Sequence, residues 1–266
     1  MDEAAKDRVA RIRPRREPPP LLPVEVTGTE AVSPRLMRLT VEGSELRDLV
    51  IDEPAASVRL LVPPLGHEDL VMPTWNGNEF LLPDGSRPAL RTFTPLRFDP
   101  GAGRLDLEIV RHPGGAVSTW AEGIQLGAPA AISGPGRGYE IDLEASRYLL
   151  FGDETALAAI GQLLGALPPE VPVDVHLETV TADAQVDLPG HPARSVTWHV
   201  AAARSAPGAS LVAAARAEGS ISDGTHIWAA GEAASMQAIR KFFFDEAGVA
   251  RRQATIRGYW KPARTP

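Results

Sequence analysis

Between Arg91 and Arg97 the chain reads Arg-Thr-Phe-Thr-Pro-Leu-Arg, after a loop rich in Gly, Asn and Pro (73–88) and before the turn Asp99-Pro-Gly-Ala-Gly103. Side chains alternate faces along a strand, so Arg91, Phe93 and Pro95 share one face and Thr92, Thr94 and Leu96 the other. The first face sets a cation beside a flat ring, and the threonines add hydroxyl donors nearby. Such a set suits a ligand with a ring system and a phosphate-bearing tail. A second stretch, His112-Pro-Gly-Gly-Ala-Val-Ser-Thr-Trp-Ala-Glu-Gly123, places two glycines ahead of a short apolar helix. Glycine lets backbone approach a ligand closely, and first-turn amides have no acceptor within their own helix, so a pyrophosphate fits there. A glycine turn capping a helix that plugs a barrel accounts for the same residues. Two junctions further on, Phe151-Gly-Asp-Glu-Thr-Ala156 and Ala229-Ala-Gly-Glu-Ala-Ala234, are small-residue turns that open helices with a carboxylate in the first turn. An acid there stabilises a helix N-terminus by about 0.3–1 kcal/mol, which is reason enough for its presence. Neither junction is a G-x-G-x-x-G.

Composition narrows the chemistry. The chain has 266 residues, 44% hydrophobic and 23% charged, long enough for one large or two ordinary domains with apolar material for their cores. Its 25 prolines and 24 glycines point to a loop-rich, partly β architecture. A net charge of −7 argues against a nucleic-acid binder. The absence of cysteine removes disulfides, thiolate nucleophiles, iron–sulfur clusters and zinc–thiolate sites together. The 6 histidines include no pair at helical metal-ligand spacing; His176 and Glu178 share a strand face, which is too few donors for a metal site. No apolar run approaches a membrane span. The N-terminal stretch mixes acids and arginines without an apolar core, which is not a signal peptide, so a cytoplasmic location is expected.

The elements that would position these groups fall into two kinds. Residues 1–20 read as a disordered basic lead ending in Glu-Pro-Pro-Pro. From Leu22, short alternating strands separated by Gly/Pro turns predict a closed antiparallel barrel over 21–140, with Leu105, Leu107 and Ile109 as the apolar face of one strand. Gly134-Pro-Gly-Arg-Gly138 lacks the lysine and hydroxyl of a phosphate loop and reads as a turn. From 147 to 266 the pattern changes. Tyr148-Leu-Leu-Phe is a buried parallel strand, followed by a helix with Leu157, Ile160, Leu164 and Leu167 on one side. Further strands at 171–180, 195–201, 226–231 and 253–259 alternate with helices at 208–218 and 232–247, predicting an open α/β sheet with ligands at the carboxyl ends of its strands.

Five motifs in order resemble the siderophore-interacting proteins of the ferredoxin reductase superfamily. They are the Arg91-x-Phe93-Thr94-x-x-Arg97 strand, Gly115-Ala-Val-Ser-Thr-Trp-Ala121, Gly152-Asp-Glu-Thr-Ala-Leu157, Trp228-x-Ala-Gly-Glu-Ala233 with Arg240 in the next helix, and Gly258-Tyr-Trp-Lys261. The resemblance runs from about Val24 to Lys261. It departs from the family at Phe93, where Tyr is usual, at Ala116, where Pro is usual, at Trp198-His-Val-Ala201, where Trp-x-x-Arg is frequent, and after Lys261. The resemblance implies a flavin-binding barrel followed by a nicotinamide-binding α/β domain. It implies that NADH or NADPH reduces FAD, which passes electrons to Fe(III) held by a siderophore, so that no side chain carries the chemistry. Arg91, Phe93, Thr94, His112, Gly115, Ala116, Val117 and Ser118 would then hold FAD, and Asp153, Glu154, Thr155 and Gly231 the nicotinamide. The cations Arg257, Lys261 and Arg264 gather beside Tyr259 and Trp260, and read either as a solvated tail or as what attracts an anionic ferric siderophore. A monomer without a membrane span is expected. Two alternatives stay open: a related reductase with a protein acceptor, and a siderophore- or flavin-binding protein without turnover.

Overall fold

The computed structural model describes residues 18–262. Most of the expected lead, and Arg264, lie outside that range. The first half is built from β1 (Leu22–Ala31), β2 (Leu36–Glu42), β3 (Val58–Val62), a hairpin of β4 (Thr74–Trp75) and β5 (Phe80–Leu81), then β6 (Ala89–Phe93), β7 (Pro95–Asp99), β8 (Arg104–Val110), helix α1 (Ala116–Glu122) and β9 (Pro129–Ser133). Seven of these strands form one antiparallel sheet in the order β6-β3-β9-β1-β2-β8-β7. Alternation decides which side faces in. Along β8, Leu105, Leu107 and Ile109 are buried with Val24, Val26, Leu39, Val41, Leu60 and Ile132 in one core.

The expected closed barrel is a curled sheet left open between its edges. β6 and β7 are those edges, yet only Thr94 separates them in the chain, so the sheet must curl until the edges come together there. No ladder joins them. Pro95 has no amide to donate, and the register of β7 on β8 slips between Pro95 and Arg97. Among the described residues the outer edge of β6 pairs with no strand, and α1 packs beside it and against β8.

The second half is a five-stranded parallel sheet. β10 (Arg147–Asp153), β11 (Val173–Thr179), β12 (Arg194–Val200), β13 (Thr225–Glu232) and β14 (Ala254–Trp260) lie in the order β12-β11-β10-β13-β14. Helix α2 (Leu157–Ala166) covers one face together with Tyr148, Leu150 and Trp228, while α3 (Ala209–Ala217) and α4 (Ala233–Lys241) cover the other with Leu149, Phe151 and Ile227. Burying a side chain such as Phe151 contributes about 1.5–3 kcal/mol, which is why near-continuous apolar strands take the central positions. The helix expected over 232–247 is instead α4 followed by a π-helical turn, Phe242–Glu246. A wider turn rotates less per residue, and this one lets the consecutive Phe242 and Phe243 both bury. Strand order reverses between β10 and β13, the point beyond whose carboxyl ends open sheets of this kind take their ligands.

Three groups of contacts stand out among those that fasten the halves together. Arg35, in the turn between β1 and β2, donates from Nε to both Glu154 oxygens at 2.8 and 2.9 Å, with a further Nη2–Oε2 contact of 2.8 Å. Gln162 on α2 donates to Pro95 O at 2.6 Å and accepts from Ala55 N at 2.7 Å. Leu36, Ala55 and Tyr139 enter the same core as α2. Glu154→Gln keeps the shape and one acceptor while removing the charge. It is expected to cost about 1 kcal/mol and to lower the melting temperature by roughly 2–4 °C, read by circular dichroism. An unchanged melting temperature would show that the ion pair contributes nothing.

His176 and Glu178, which share a face of β11, do different work. Glu178 is buried and caps α3, accepting from Gly208 N at 2.6 Å and Ser210 N at 3.0 Å. His176 Nδ1 lies 3.2 Å from His199 Nε2 on β12. Burial, and then the neighbouring His176, push the His199 imidazole below its usual 6.5, with Glu178 opposing them. The unfolded chain therefore takes up this proton first, and stability present above pH 6.5 is lost as pH falls below that value. His199→Gln is expected to flatten that part of the melting-temperature profile; a profile identical to the parent would remove His199 from the account.

Candidate functional site

On the first half, β6 carries Arg91 and Phe93 on one face, as alternation requires. Arg91 is exposed. Its Nη1 donates to Leu90 O at 2.9 Å, and no carboxylate pairs with it among the described residues. Phe93 is half-buried, seated against the core of the curled sheet opposite Val58. Thr94 is buried at the point where the two sheet edges meet. Neighbouring α1 begins at Ala116, with Gly115 as its N-cap residue. The amides of Ala116, Val117 and Ser118 have no acceptor in the helix by its geometry. Ser118 Oγ is buried and accepts from His112 N at 2.9 Å, which fixes the loop between β8 and α1. The His112 ring lies across Gly115: a Cβ there would fall 2.4 Å from the ring, so a side chain at this position would push the imidazole aside. All eight residues assigned to the flavin are thus on β6, its exit, or the adjoining loop and α1.

The donor set can be tested against FAD. A guanidinium without an acidic partner among the described residues, three first-turn amides on the helix packed beside its strand, and a half-buried ring on the outer strand of the sheet match a phosphate tail and a flat ring system. The residues present fit the cofactor.

On the second half, the carboxyl ends of β10 and β13 bring Asp153, Glu154, Thr155 and Gly231 together, but their polar side chains face inward. Asp153 Oδ1 accepts from Thr155 N at 2.9 Å and Thr155 Oγ1 at 2.6 Å. Its Oδ2 accepts from Glu232 N at 2.9 Å and Trp260 Nε1 at 2.7 Å. Burial pushes the Asp153 carboxyl above the usual range, and these donors pull against it. Gly231 leaves room for that carboxylate, because a Cβ there would sit 2.6 Å from Oδ2. Glu154 is engaged by Arg35, and Val180 N donates to its Oε1 at 3.2 Å. The four residues therefore cluster at the carboxyl ends of β10 and β13, with their polar side chains bonded to the protein itself.

Two contacts were absent from the sequence expectations. Trp260 reaches Asp153 across the strand-order reversal, and the Tyr259 phenol lies near Thr94, which brings the last strand of the parallel sheet close to the exit of β6. Burial pushes the Tyr259 phenol up, with Thr94 opposing it. The Gly258-Tyr-Trp-Lys261 motif marks these residues without showing their partners. The C-terminal cations are not gathered at one point. Arg257 donates to Arg137 O at 3.0 Å and Gly138 O at 2.6 Å, on the segment joining the halves, whereas Lys261 is exposed beyond the end of β14.

A curled antiparallel sheet followed by a parallel α/β sheet, with a ligand-ready strand at their junction, is the ferredoxin reductase-like architecture. The Amycolatopsis cytochrome P450 reductase GcoB shares that fold, with a TM-score of 0.65 at 18% identity over 93% of this chain and 72% of its own. Family models make the assignment narrower: residues 25–139 match the siderophore-interacting FAD-binding domain and 145–263 the siderophore-interacting protein domain. An uncharacterized protein of Mycobacterium tuberculosis is 32% identical over 260 residues, 92% of each chain. The ferric vibriobactin reductase ViuB of Vibrio cholerae is 27% identical, covering 86% of this chain and 85% of its own. A siderophore utilization protein from T. fusca superposes with a TM-score of 0.81 at 27% identity, covering 94% and 95% of the two chains. The chain belongs to the siderophore-interacting protein family and carries its FAD-binding domain. No helix among the described residues is long and apolar enough to cross a membrane.

Proposed function

We propose that this protein is an NAD(P)H-dependent ferric-siderophore reductase. The observation that carries the reading is the junction itself: Arg91, without a carboxylate partner among the described residues, and the neighbouring helix α1 accompany Phe93, and Thr94 at the exit of that strand lies near Tyr259 of the parallel sheet. When bound, FAD supplies the conversion between two-electron chemistry at a nicotinamide and one-electron chemistry at ferric iron.

The chain's own residues then bind, orient and exclude. Arg91 and the amides of Ala116, Val117 and Ser118 hold the phosphates, with charge-assisted bonds from the guanidinium. Phe93 supports the flavin ring by contact alone, having no hydroxyl. Gly115 and His112 keep the loop close against α1. Asp153, Thr155 and Gly231 set the shape of the nicotinamide crevice, while Glu154 fixes its angle to the flavin strand through Arg35. Thr94 and Tyr259 close the junction between the two ligands. Lys261, with Arg257 and Arg264 on the same terminal segment, draws in an anionic ferric chelate. Siderophores are oxygen-rich and hold the harder ferric ion more strongly, so reduction releases the metal.

The test is reconstitution. Purified protein incubated with FAD and dialysed is expected to retain about one flavin per chain, and NADH or NADPH added anaerobically should bleach it, with the faster nucleotide identifying the donor. Protein that stays colourless after loading, or a retained flavin that neither nucleotide bleaches, contradicts the proposal.

A further inference from the structure

β14 is an edge strand, and beside it lies a cleft of about 900 Å³ whose walls carry Arg137, Arg240, Arg251, Arg252, Arg257 and Phe244. Five arginines around one cleft stand out in a chain of net charge −7. Three of them are fixed by the protein: Arg240 donates to Ile256 O, Arg257 to the carbonyls of Arg137 and Gly138, and Arg251 lies 5.1 Å from the centre of the Phe244 ring. The guanidiniums of Arg137 and Arg252 have no hydrogen-bond or ion-pair partner among the described residues. Two carboxylates also line the cleft, Glu140 and Asp142, and Asp142 pairs with His226 at 3.2 Å. The balance stays positive.

Position separates this cleft from the nicotinamide crevice. Arg251 and Arg252 lie in the turn that leads into β14 and His226 is the second residue of β13, so this end of the cleft lies at the amino ends of the parallel strands. Asp153 and Gly231 are at the opposite, carboxyl ends. The lining also selects the kind of ligand. An added peptide strand would need the free edge of β14, and Arg240 already occupies the Ile256 carbonyl there. The volume is that of a small-molecule pocket, and planar guanidiniums bind phosphate or carboxylate oxygens in pairs.

We propose that the cleft binds a small organic anion with at least two separated negative charges and a flat or apolar portion, of the nucleoside-phosphate type. Arg137 and Arg252 hold the charged groups and Phe244 packs against the remainder. Arg137 belongs to the segment joining the halves and Arg252 to the parallel-sheet domain, so an occupant ties the one to the other. This inference stands independently of the electron-transfer reading.

The full chain is titrated with ATP, inorganic triphosphate and adenosine by calorimetry at constant ionic strength. ATP and triphosphate are expected to bind saturably at one site per chain and to raise the melting temperature, while adenosine gives no signal. Arg137→Ala/Arg252→Ala should weaken ATP at least tenfold with an unchanged unliganded melting temperature, since neither side chain has an internal partner. Arg47→Ala/Arg87→Ala removes the same charge elsewhere and should leave the affinity as it was. The proposal is overturned if neither anion saturates, if the first double variant binds ATP as the parent does, if the control pair loses affinity equally, or if NADH or NADPH displaces the bound ATP. Because the readout needs no flavin, a failed reconstitution would not disturb it.

Discussion

Asp153→Ala is expected to lower the stability of the protein by about 3–5 kcal/mol, dropping its melting temperature on the order of 10 °C. The Asp153 carboxylate accepts four hydrogen bonds, from Thr155 N, Thr155 Oγ1, Glu232 N and Trp260 Nε1. Alanine leaves the Glu232 amide, on a strand buried along its whole length, without an acceptor. It also removes the link between β10 and the end of β14, the strand whose Tyr259 lies near Thr94. Not all the lost bonding is net loss, because the buried carboxylate itself is unfavourable, as its raised pKa records. Asp153→Asn keeps one carbonyl acceptor in place of two oxygens and should recover part of the difference. Thermal melts followed by circular dichroism decide it. A variant that melts with the parent would mean that these bonds do not hold the carboxyl ends of the sheet together.

The second large effect is on ligand rather than on fold. Arg91→Ala should weaken FAD retention by about 1.5–3 kcal/mol, roughly 10- to 100-fold in Kd, since a phosphate contact from a guanidinium is charge-assisted. The same variant should melt like the parent, because the side chain is exposed and its one internal bond is to the carbonyl of its own neighbour, Leu90. Flavin fluorescence titration and a melt of the FAD-free protein, read side by side, separate the two quantities. Full flavin occupancy after dialysis of the variant would remove Arg91 from the phosphate site.

The architecture was legible wherever the signal is local. Alternation marked Leu105, Leu107 and Ile109, and all three are buried. The unbroken apolar run at Tyr148–Phe151 marked a central parallel strand, and the change of period placed the division into two halves. What was not legible depends on partners far along the chain. Glu154 looks like an ordinary first-turn carboxylate until Arg35, 119 residues away, is seen to grip it. Asp153 looks ligand-facing until Trp260, 107 residues on, is found to donate to it. Openness between β6 and β7 was hidden for a different reason: strand propensity says where a strand is, not whether its last neighbour pairs with it. The C-terminal cations show the same limit. Arg257 and Lys261 are close in sequence, yet one turns to the inter-domain segment and the other to solvent.

The most direct test of the central claim is a single anaerobic experiment on the FAD-loaded protein. It is reduced with the preferred nicotinamide nucleotide until the visible flavin absorption is gone, excess nucleotide is removed, and a ferric siderophore is added in the presence of a ferrous-iron chelator. The account predicts that the yellow absorption returns as the ferrous chelate forms, with two irons reduced for each flavin reoxidised. A flavin that stays bleached with every ferric siderophore offered, yet recovers with a ferredoxin or another protein acceptor, would contradict it.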